Sequence, residues 1–319
     1  MKSMNQVGID VSSKELVTSV NGEKPRIYPN TTRGIDKLEQ ALPPVATVHL
    51  EATGGHERLA VRRLVGAGFE VRRHNPLKTN RLAQARSIGA KTDAVDARNL
   101  ALIGGLLPFR PLKTREREDI TDQSRMISQL KKTVSKYKLR MRSPQLDTIT
   151  AFQWQEAITS IETHIKNAEK VIRRRIKKSS YAANYKLALS VQCIGPATAT
   201  IIVCELPEDF KERRPSQIAT YAGLAPMDNS SGPKEGKKHV KRGNSRLKAC
   251  FYMCAITAVG RFEWARKLYD RLIAQGKCHQ SAIVPIMRRL LLRVVATLKR
   301  GTPWVKEAAL PRVKKLKTS

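Results

Sequence analysis

Apolar positions follow two different rhythms along this chain. Over the first third they come in short blocks between turns. Over the rest they recur at three- and four-residue steps. In the first third, Gln6 to Val11 reads as a strand and Leu16 to Val20 as its hairpin partner. Arg33 to Leu42 reads as a helix with Ile35, Leu38 and Leu42 on one side. Val45 to Leu50 is a second apolar strand, ended by the turn Thr53-Gly54-Gly55. His56 to Val65 reads as helix, Phe69 to Arg72 as strand, and Asp93 to Leu107 as helix. Strands first paired in a hairpin and then alternating with helices predict a mixed sheet flanked by helices.

The middle carries no strand signal. Residues 116–142 and 150–178 are two long polar helical stretches. Ile120, Ile127, Leu130, Val134, Tyr137 and Met141 form a narrow stripe on the first; Ala157, Ile161, Ile165, Ala168 and Ile172 form one on the second. Such stripes suit a helical hairpin or coiled coil, broken at Ser143-Pro144. The remaining third is mostly helical. VQCIGPATA (191–199) places a Gly-Pro turn between two apolar helical runs. This suits either a helix-hairpin-helix element, whose turn amides at Gly195 can hold a phosphate, or a plain helix–helix turn. Pro215 to Leu224, a Gly/Lys-rich loop 228–244, a helix 245–259 and an amphipathic helix 281–299 follow. The organisation expected is therefore 1–112 α/β, 113–183 a basic helical hairpin, and 184–319 a largely helical C-terminal domain.

Charge narrows the function. The 319 residues include 60 Lys+Arg and 27 Asp+Glu, a net charge of +33. The three segments carry +7, +9 and +17, so positive charge runs the whole length. Self-repulsion of that size calls for a polyanionic partner, and nucleic acid is the first candidate. Lys131, Lys132, Lys136 and Arg140, with Arg173 and Arg174, lie on the polar faces of the two middle helices and are candidate backbone contacts. A membrane-surface role is disfavoured, because these basic stretches lack a strongly apolar opposite face. No run of 18 apolar residues suggests a membrane span, and the N-terminus lacks a signal-peptide core. Five cysteines without paired spacing suggest reduced thiols and a cytoplasmic protein. Zinc at Cys250, Cys254 and Cys278-His279 is weakly supported, since no CxxC pair exists; small buried residues are the simpler reading. Aromatic residues are 5%, and Trp154, Trp264 and Trp304 read as packing residues.

Four acids stand out. Asp10 interrupts the strand Val7-Gly8-Ile9-Asp10-Val11, where a carboxylate is costly without compensation. Glu51 ends the second strand, and strand ends in α/β sheets often line sites. Asp93 and Asp96 share one face at the start of a helix. Together they could form an oxygen-rich site for Mg²⁺, suited to phosphoryl transfer. Taken alone, Asp93 and Asp96 also fit helix capping.

GIDVSSKEL (8–16), EATGG (51–55) and KTDAVDARNLA (91–101) resemble the N-terminal domain of the DEDD insertion-sequence transposases, which has a RuvC-like, RNase-H-type fold. CIGPATA (193–199), YAGLAPMDNSSG (221–232) and KRGNSRLKACFYMCA (241–255) resemble that family's C-terminal transposase domain. The resemblance implies an α/β RNase-H/RuvC-like catalytic domain, a helical middle and a helical transposase domain. It implies a recombinase acting on donor and target DNA, guided by an element-encoded bridge RNA. In the family the acids of one subunit and the serine of another share a site within a synaptic tetramer. The resemblance puts Asp10, Glu51, Asp93 and Asp96 on the family's metal-binding acids and Ser231, beside Gly232, on its nucleophilic serine. The local sequence does not separate Ser231 from Ser230 or Ser245. Lys237, Lys238, Lys241 and Arg242 would hold the DNA backbone near that serine, and His239 is a candidate proton carrier. A prokaryotic, nucleoid-associated protein is implied. A metal-dependent nuclease or junction resolvase would need the acids and no serine. A non-catalytic binding protein would need only the charge.

Overall fold

The computed structural model describes residues 5–85, 92–109, 111–142, 146–225 and 243–305. The chain divides into two compact units, Met1–Leu112 and Lys113–Ser319.

The first unit holds a five-stranded mixed sheet. Its strands are β1 (Asn5–Val11), β2 (Glu15–Val20), β3 (Arg26–Pro29), β4 (Ala46–Glu51) and β5 (Glu70–His74), in the order β3-β2-β1-β4-β5. β1 pairs antiparallel with β2 and parallel with β4, and β4 pairs parallel with β5. Its helices are α1 (Thr32–Ala41), α2 (Arg58–Gly66), α3 (Pro76–Ala85) and α4 (Asp93–Ile103), the last running into a 3-10 turn at Gly104–Leu106. The mixed sheet with flanking helices is the architecture the sequence pattern predicts, and its strand order is compatible with an RNase-H-like domain. Side-chain alternation divides the sheet into two faces. Val7, Ile9, Leu16, Val48 and Leu50 share a buried core with Ile35 and Leu38 of α1 and Ala60 and Leu64 of α2. The opposite face carries Gly8 and Asp10.

Gly8 sets the distance to α4. A Cβ there would lie 2.0 Å from the Ala97 carbonyl and 2.3 Å from the Ala101 nitrogen, so only glycine lets the helix lie on β1. The same face holds a buried imidazole pair. His49 Nδ1 and His74 Nε2 are 2.9 Å apart, and His49 Nε2 is 2.6 Å from Gln6 Oε1. With Gln6 Oε1 as acceptor, His49 carries its proton on Nε2 and accepts from His74 through Nδ1. Burial and the charge of Arg72 push both rings down to about 4, and the charge of His74 adds to the fall at His49. The unfolded chain therefore takes up protons between about 6.5 and 4 that the folded chain refuses. The contribution of the two rings to stability is complete above that window and falls as pH drops through it. Two observations check this: both rings stay neutral at pH 5.5 by imidazole NMR shifts, and the urea midpoint declines from about pH 6.5 downward. A midpoint that is flat over this range would contradict it.

The second unit is helical: α5 (Arg115–Arg140), α6 (Thr148–Lys177), α7 (Ala182–Ser190), α8 (Pro196–Glu205), α9 (Pro215–Tyr221), α10 (Ser245–Arg261), α11 (Glu263–Ala274) and α12 (His279–Arg300). α5 and α6 form an antiparallel pair. Ile120, Ile127 and Val134 are buried at seven-residue steps on one, and Ile158, Ile165 and Ile172 on the other. These side chains belong to the same core as α7, α8, α10 and α12. The Ser143-Pro144 break lies outside the described residues.

The polar faces of α5 and α6 are not all of one sign, because several cations take partners across the pair. Lys131 meets Glu169 at 2.6 Å, Lys138 meets Glu162 at 2.7 Å, and Arg175 meets Asp119 at 2.8 Å. The tryptophans pack against guanidinium groups. Arg293 stands 4.2 Å from the Trp264 ring centre and 5.2 Å from that of Trp304; Arg140 lies 5.8 Å from that of Trp154.

Candidate functional site

Asp10, Glu51, Asp93 and Asp96 all belong to the first unit, and local packing brings them together. Gly8 pairs with His49 in the parallel ladder, so Asp10 and Glu51, each two residues further on, emerge on the same face of neighbouring strands. The contact of Gly8 with Ala97 and Ala101 fixes α4 over that face. Asp93 lies one helical turn before Ala97, and Asp96 immediately precedes it. The first turn of α4 is thereby carried toward Asp10. The helix itself begins at Thr92, whose hydroxyl accepts from the Val95 amide at 3.3 Å. Asp93 is therefore not the cap, and the capping reading of the Asp93–Asp96 pair fails for that reason.

Asp10 feels all three neighbours. Burial first, then the negative charges of Asp93, Asp96 and Glu51, raise its carboxyl to about 6. Thr79, buried on α3, donates a short hydrogen bond from Oγ1 to Glu51 Oε1. The turn after Glu51 is organised by Glu57, which accepts from Gly55 N at 2.8 Å and Thr53 N at 3.3 Å and pairs with Arg73 at 3.3 Å. Gly54 and Gly55 adopt the positive φ that this turn requires, 74° and 120°. Thr79 and Glu57 escape sequence reasoning, because their value lies in contacts across the fold. The Asn75-Pro76 start signal of α3 is nevertheless there to be read: Asn75 Oδ1 accepts from Leu77 N at 2.9 Å.

Among the described residues no three His, Cys, Asp or Glu side chains stand close enough to enclose an ion as they are. The donor set nevertheless suits a hard divalent cation: every donor is a carboxylate, and the Asp10 repulsion is what such a cation would relieve. Asp93 is exposed, so its carboxylate can rotate toward an ion. Cys250 and Cys254 are buried on α10 and Cys278 is exposed, with no metal cluster among the described residues.

In the second unit, Lys132, Lys136 and Arg140 are exposed along α5 and Arg174 along α6; Arg173 reaches Glu169 at 3.6 Å. Gly195 is the N-cap residue of α8 and is exposed. Ser230, Ser231, Gly232, Lys237, Lys238, His239, Lys241 and Arg242 lie outside the described residues, and Ser245 opens α10. The chain on either side of that segment converges. Gly243 has φ 115°, a Cβ on it would fall 2.2 Å from the Gly223 nitrogen, and Asn244 N donates to Tyr221 O at 2.8 Å. A buried network secures this junction. Glu205 accepts from Asn244 Nδ2 at 2.8 Å and from Arg246, and Arg246 Nη2 donates to Ser124 Oγ at 2.6 Å.

Comparison with known proteins shows what the chain as a whole is similar to. Residues 7–150 match the family model of the DEDD transposases of IS110 type, and residues 185–270 match that of the IS116/IS110/IS902 transposase family. A pilin gene-inverting protein of Moraxella lacunata is 25% identical over 277 residues, covering 82% of this chain and 83% of that protein. The pilin gene-inverting protein of Moraxella bovis is similar to the same degree. An uncharacterized protein of the insertion element IS110 from Streptomyces coelicolor is 31% identical over 114 residues, 35% of this chain and 28% of that protein. The match thus spans well under two thirds of the Streptomyces protein and most of the Moraxella ones. No described helix is long and apolar enough to cross a membrane.

Proposed function

The chain belongs to the DEDD transposases of the IS110 type, and we propose that it cuts and rejoins the DNA of an insertion element through the combined action of its four acids and Ser231. The observation that carries this reading is the setting of Asp10: a carboxylate on the central strand, faced by three more from β4 and α4, in a chain of net charge +33. Like charges gathered in one place within so basic a chain point to a cation site serving a polyanion. Mg²⁺ held by Asp10, Glu51, Asp93 and Asp96 would supply the positive charge that polarises a scissile phosphate and stabilises the departing oxygen. In this reading the Ser231 oxygen forms the new bond to phosphorus. The bond from phosphorus to one strand end breaks, the serine gives up its proton, and the departing oxygen takes one. Rejoining reverses these steps with a different strand end. Lys237, Lys238, Lys241 and Arg242 flank the serine in sequence and hold the backbone phosphates.

Guidance by an element-encoded bridge RNA belongs to the same proposal. It is supported by basic charge along the whole chain and by few aromatic residues, which suits backbone contact more than base-edge reading. A synaptic tetramer built from dimers, in which acids and serine come from different copies, belongs to it as well. The expected locale is the prokaryotic nucleoid.

The test uses cells carrying the gene with its flanking DNA. The protein is fully denatured and any DNA still attached to it is recovered and sequenced, alongside Ser231→Ala and Asp10→Ala. We expect attached DNA from the unaltered protein and none from either variant. Cut DNA without attachment, unchanged by Ser231→Ala, would instead identify a metal-dependent nuclease.

A further inference from the structure

Beside two of the acids lies a cavity of about 320 Å³ between α3 and α4, lined in part by Glu51, Asp96, Asn99, Leu100, Ile103 and Asn80. This is at the lower end of the roughly 300–1,000 Å³ of small-ligand clefts. Asn99 is its unusual member. It follows Asp96 by three residues on α4, so the two share a helix face. It is only 7% exposed, and its carboxamide makes no hydrogen bond among the described residues. Its polar atoms are not among the sealed, unpartnered ones, so they remain open to a ligand. Here the remaining exposure opens on the cavity.

The wall chemistry selects the ligand. Glu51 and Asp96 repel a phosphate. Pro76, Ala83 and Val95 line the same cavity, are exposed or half-buried, and offer apolar surface to a flat face. The Asn99 carboxamide offers a donor and an acceptor side by side, as does exposed Asn80, and such pairs match the edge of a base. A neutral, flat group with mixed hydrogen-bonding edges satisfies all three. We propose that this cavity receives one unstacked nucleobase from the strand held at the acids, with Asn99 bonding its edge. The inference rests on the preceding reading that the acids act on nucleic acid. Enzymes that modify a base draw it out of its stack into a pocket of this kind, so a protein wall can take up an unstacked base.

The experiment uses the full chain with ¹⁵N-labelled asparagine side chains. It is titrated with a short mixed-sequence DNA oligomer, and separately with an oligomer of equal length and charge in which every base is replaced by a tetrahydrofuran spacer. The Asn99 amide signal is assigned by its loss in Asn99→Leu, or in the near-isosteric Asn99→Asp should the first variant not fold. We expect the base-bearing oligomer to move this signal and the spacer oligomer to leave it in place. We also expect Asn99→Leu to bind the base-bearing oligomer roughly tenfold more weakly, the size of one good base contact, with spacer binding unchanged. Equal movement by both oligomers would mean that phosphate or sugar is the ligand. No movement by either would mean that the cavity takes no nucleotide. Each of these results overturns the proposal. Asp10→Ala separates it from the reading it rests on. If that variant still cuts DNA while Asn99 responds to bases, the acid site falls and the base pocket stands. If cutting is lost while Asn99 ignores bases, only the pocket falls.

Discussion

Replacing Asp10 by asparagine will stabilise the metal-free fold at neutral pH while abolishing strand cutting. Both effects follow from the same crowding. In the folded chain, burial and the charges of Asp93, Asp96 and Glu51 raise the Asp10 carboxyl to about 6, against an ordinary value near 3.8. The folded state therefore holds this proton more tightly than the unfolded state does. The contribution of Asp10 to stability falls as pH rises from about 3.8 to 6, opposite in sign to that of the two histidines, and its full penalty applies above that window. Asp10 is only partly buried, so solvent screening reduces the cost to about 1–2 kcal/mol. A carboxamide at this position carries no charge and escapes the penalty. The urea midpoint of D10N should exceed that of the unaltered chain at neutral pH and converge with it near pH 4. Added Mg²⁺ should raise the midpoint of the unaltered chain and leave D10N nearly unmoved. Cutting should fall at least about 100-fold, the scale of losing one preorganised electrostatic group. A variant less stable than its parent at neutral pH would show that the acids are already compensated without a cation.

The largest stability loss is expected at Glu205. Its carboxylate is 5% exposed and is surrounded by Lys113, Asn244, Arg246 and, at 3.9 Å, Arg125. Burial alone would raise this carboxyl, but Lys113, Asn244 and Arg246 outweigh it and hold it below its usual range. Lys113 is pushed down to about 8, chiefly by burial, and Glu205 opposes that fall. Glu205→Ala leaves two largely buried cations without their counter-charge and costs about 3–5 kcal/mol, as for a broken buried pair. Glu205→Gln keeps most of the hydrogen bonding and loses less. Joint replacement by Glu205→Leu and Arg246→Met removes both charges and should recover part of the loss. Equilibrium urea unfolding of the three variants gives this order directly. A Glu205→Ala variant within about 1 kcal/mol of its parent would show that Lys113 and Arg246 are satisfied by water instead.

Elements that carry their own signal are legible in the sequence. The strands with apolar runs, the helix Arg33 to Leu42 and the two long middle helices are found where pattern places them. β3 is not legible: Arg-Ile-Tyr-Pro is short, ends in proline, and lies at a sheet edge with Ile27 exposed, so no apolar alternation marks it. α11 escapes a sequence reading although Ala265, Leu268 and Leu272 sit at helical spacing, because α10 and α11 meet at Phe262 without glycine or proline between them. The four acids can be picked out by residue type and position, but their convergence depends on Gly8, whose role is visible only against the α4 backbone. The His49–His74 pair, the Thr79–Glu51 bond and the Glu205 network join residues 25 or more positions apart, and no local pattern encodes such pairings. Sequence takes the charge on α5 and α6 one helix at a time. Glu169 and Glu162 show that the counter-ions come from the neighbouring helix.

The division at Leu112 also has a meaning in time. A chain is made from its N-terminus, and domains generally fold as units while synthesis continues. All four acids, and the glycine that seats the helix carrying two of them, are translated before the first residue of the helical unit. Ser231 comes more than a hundred residues later. On the proposed mechanism, the half that holds the metal exists before the half that carries the nucleophile. A ribosome that stalls between them, or a frameshift there, would release a fragment with an acidic site and no serine with which to open a strand. For a mobile element, the order of its own translation thus keeps an unfinished copy harmless to the genome that carries it.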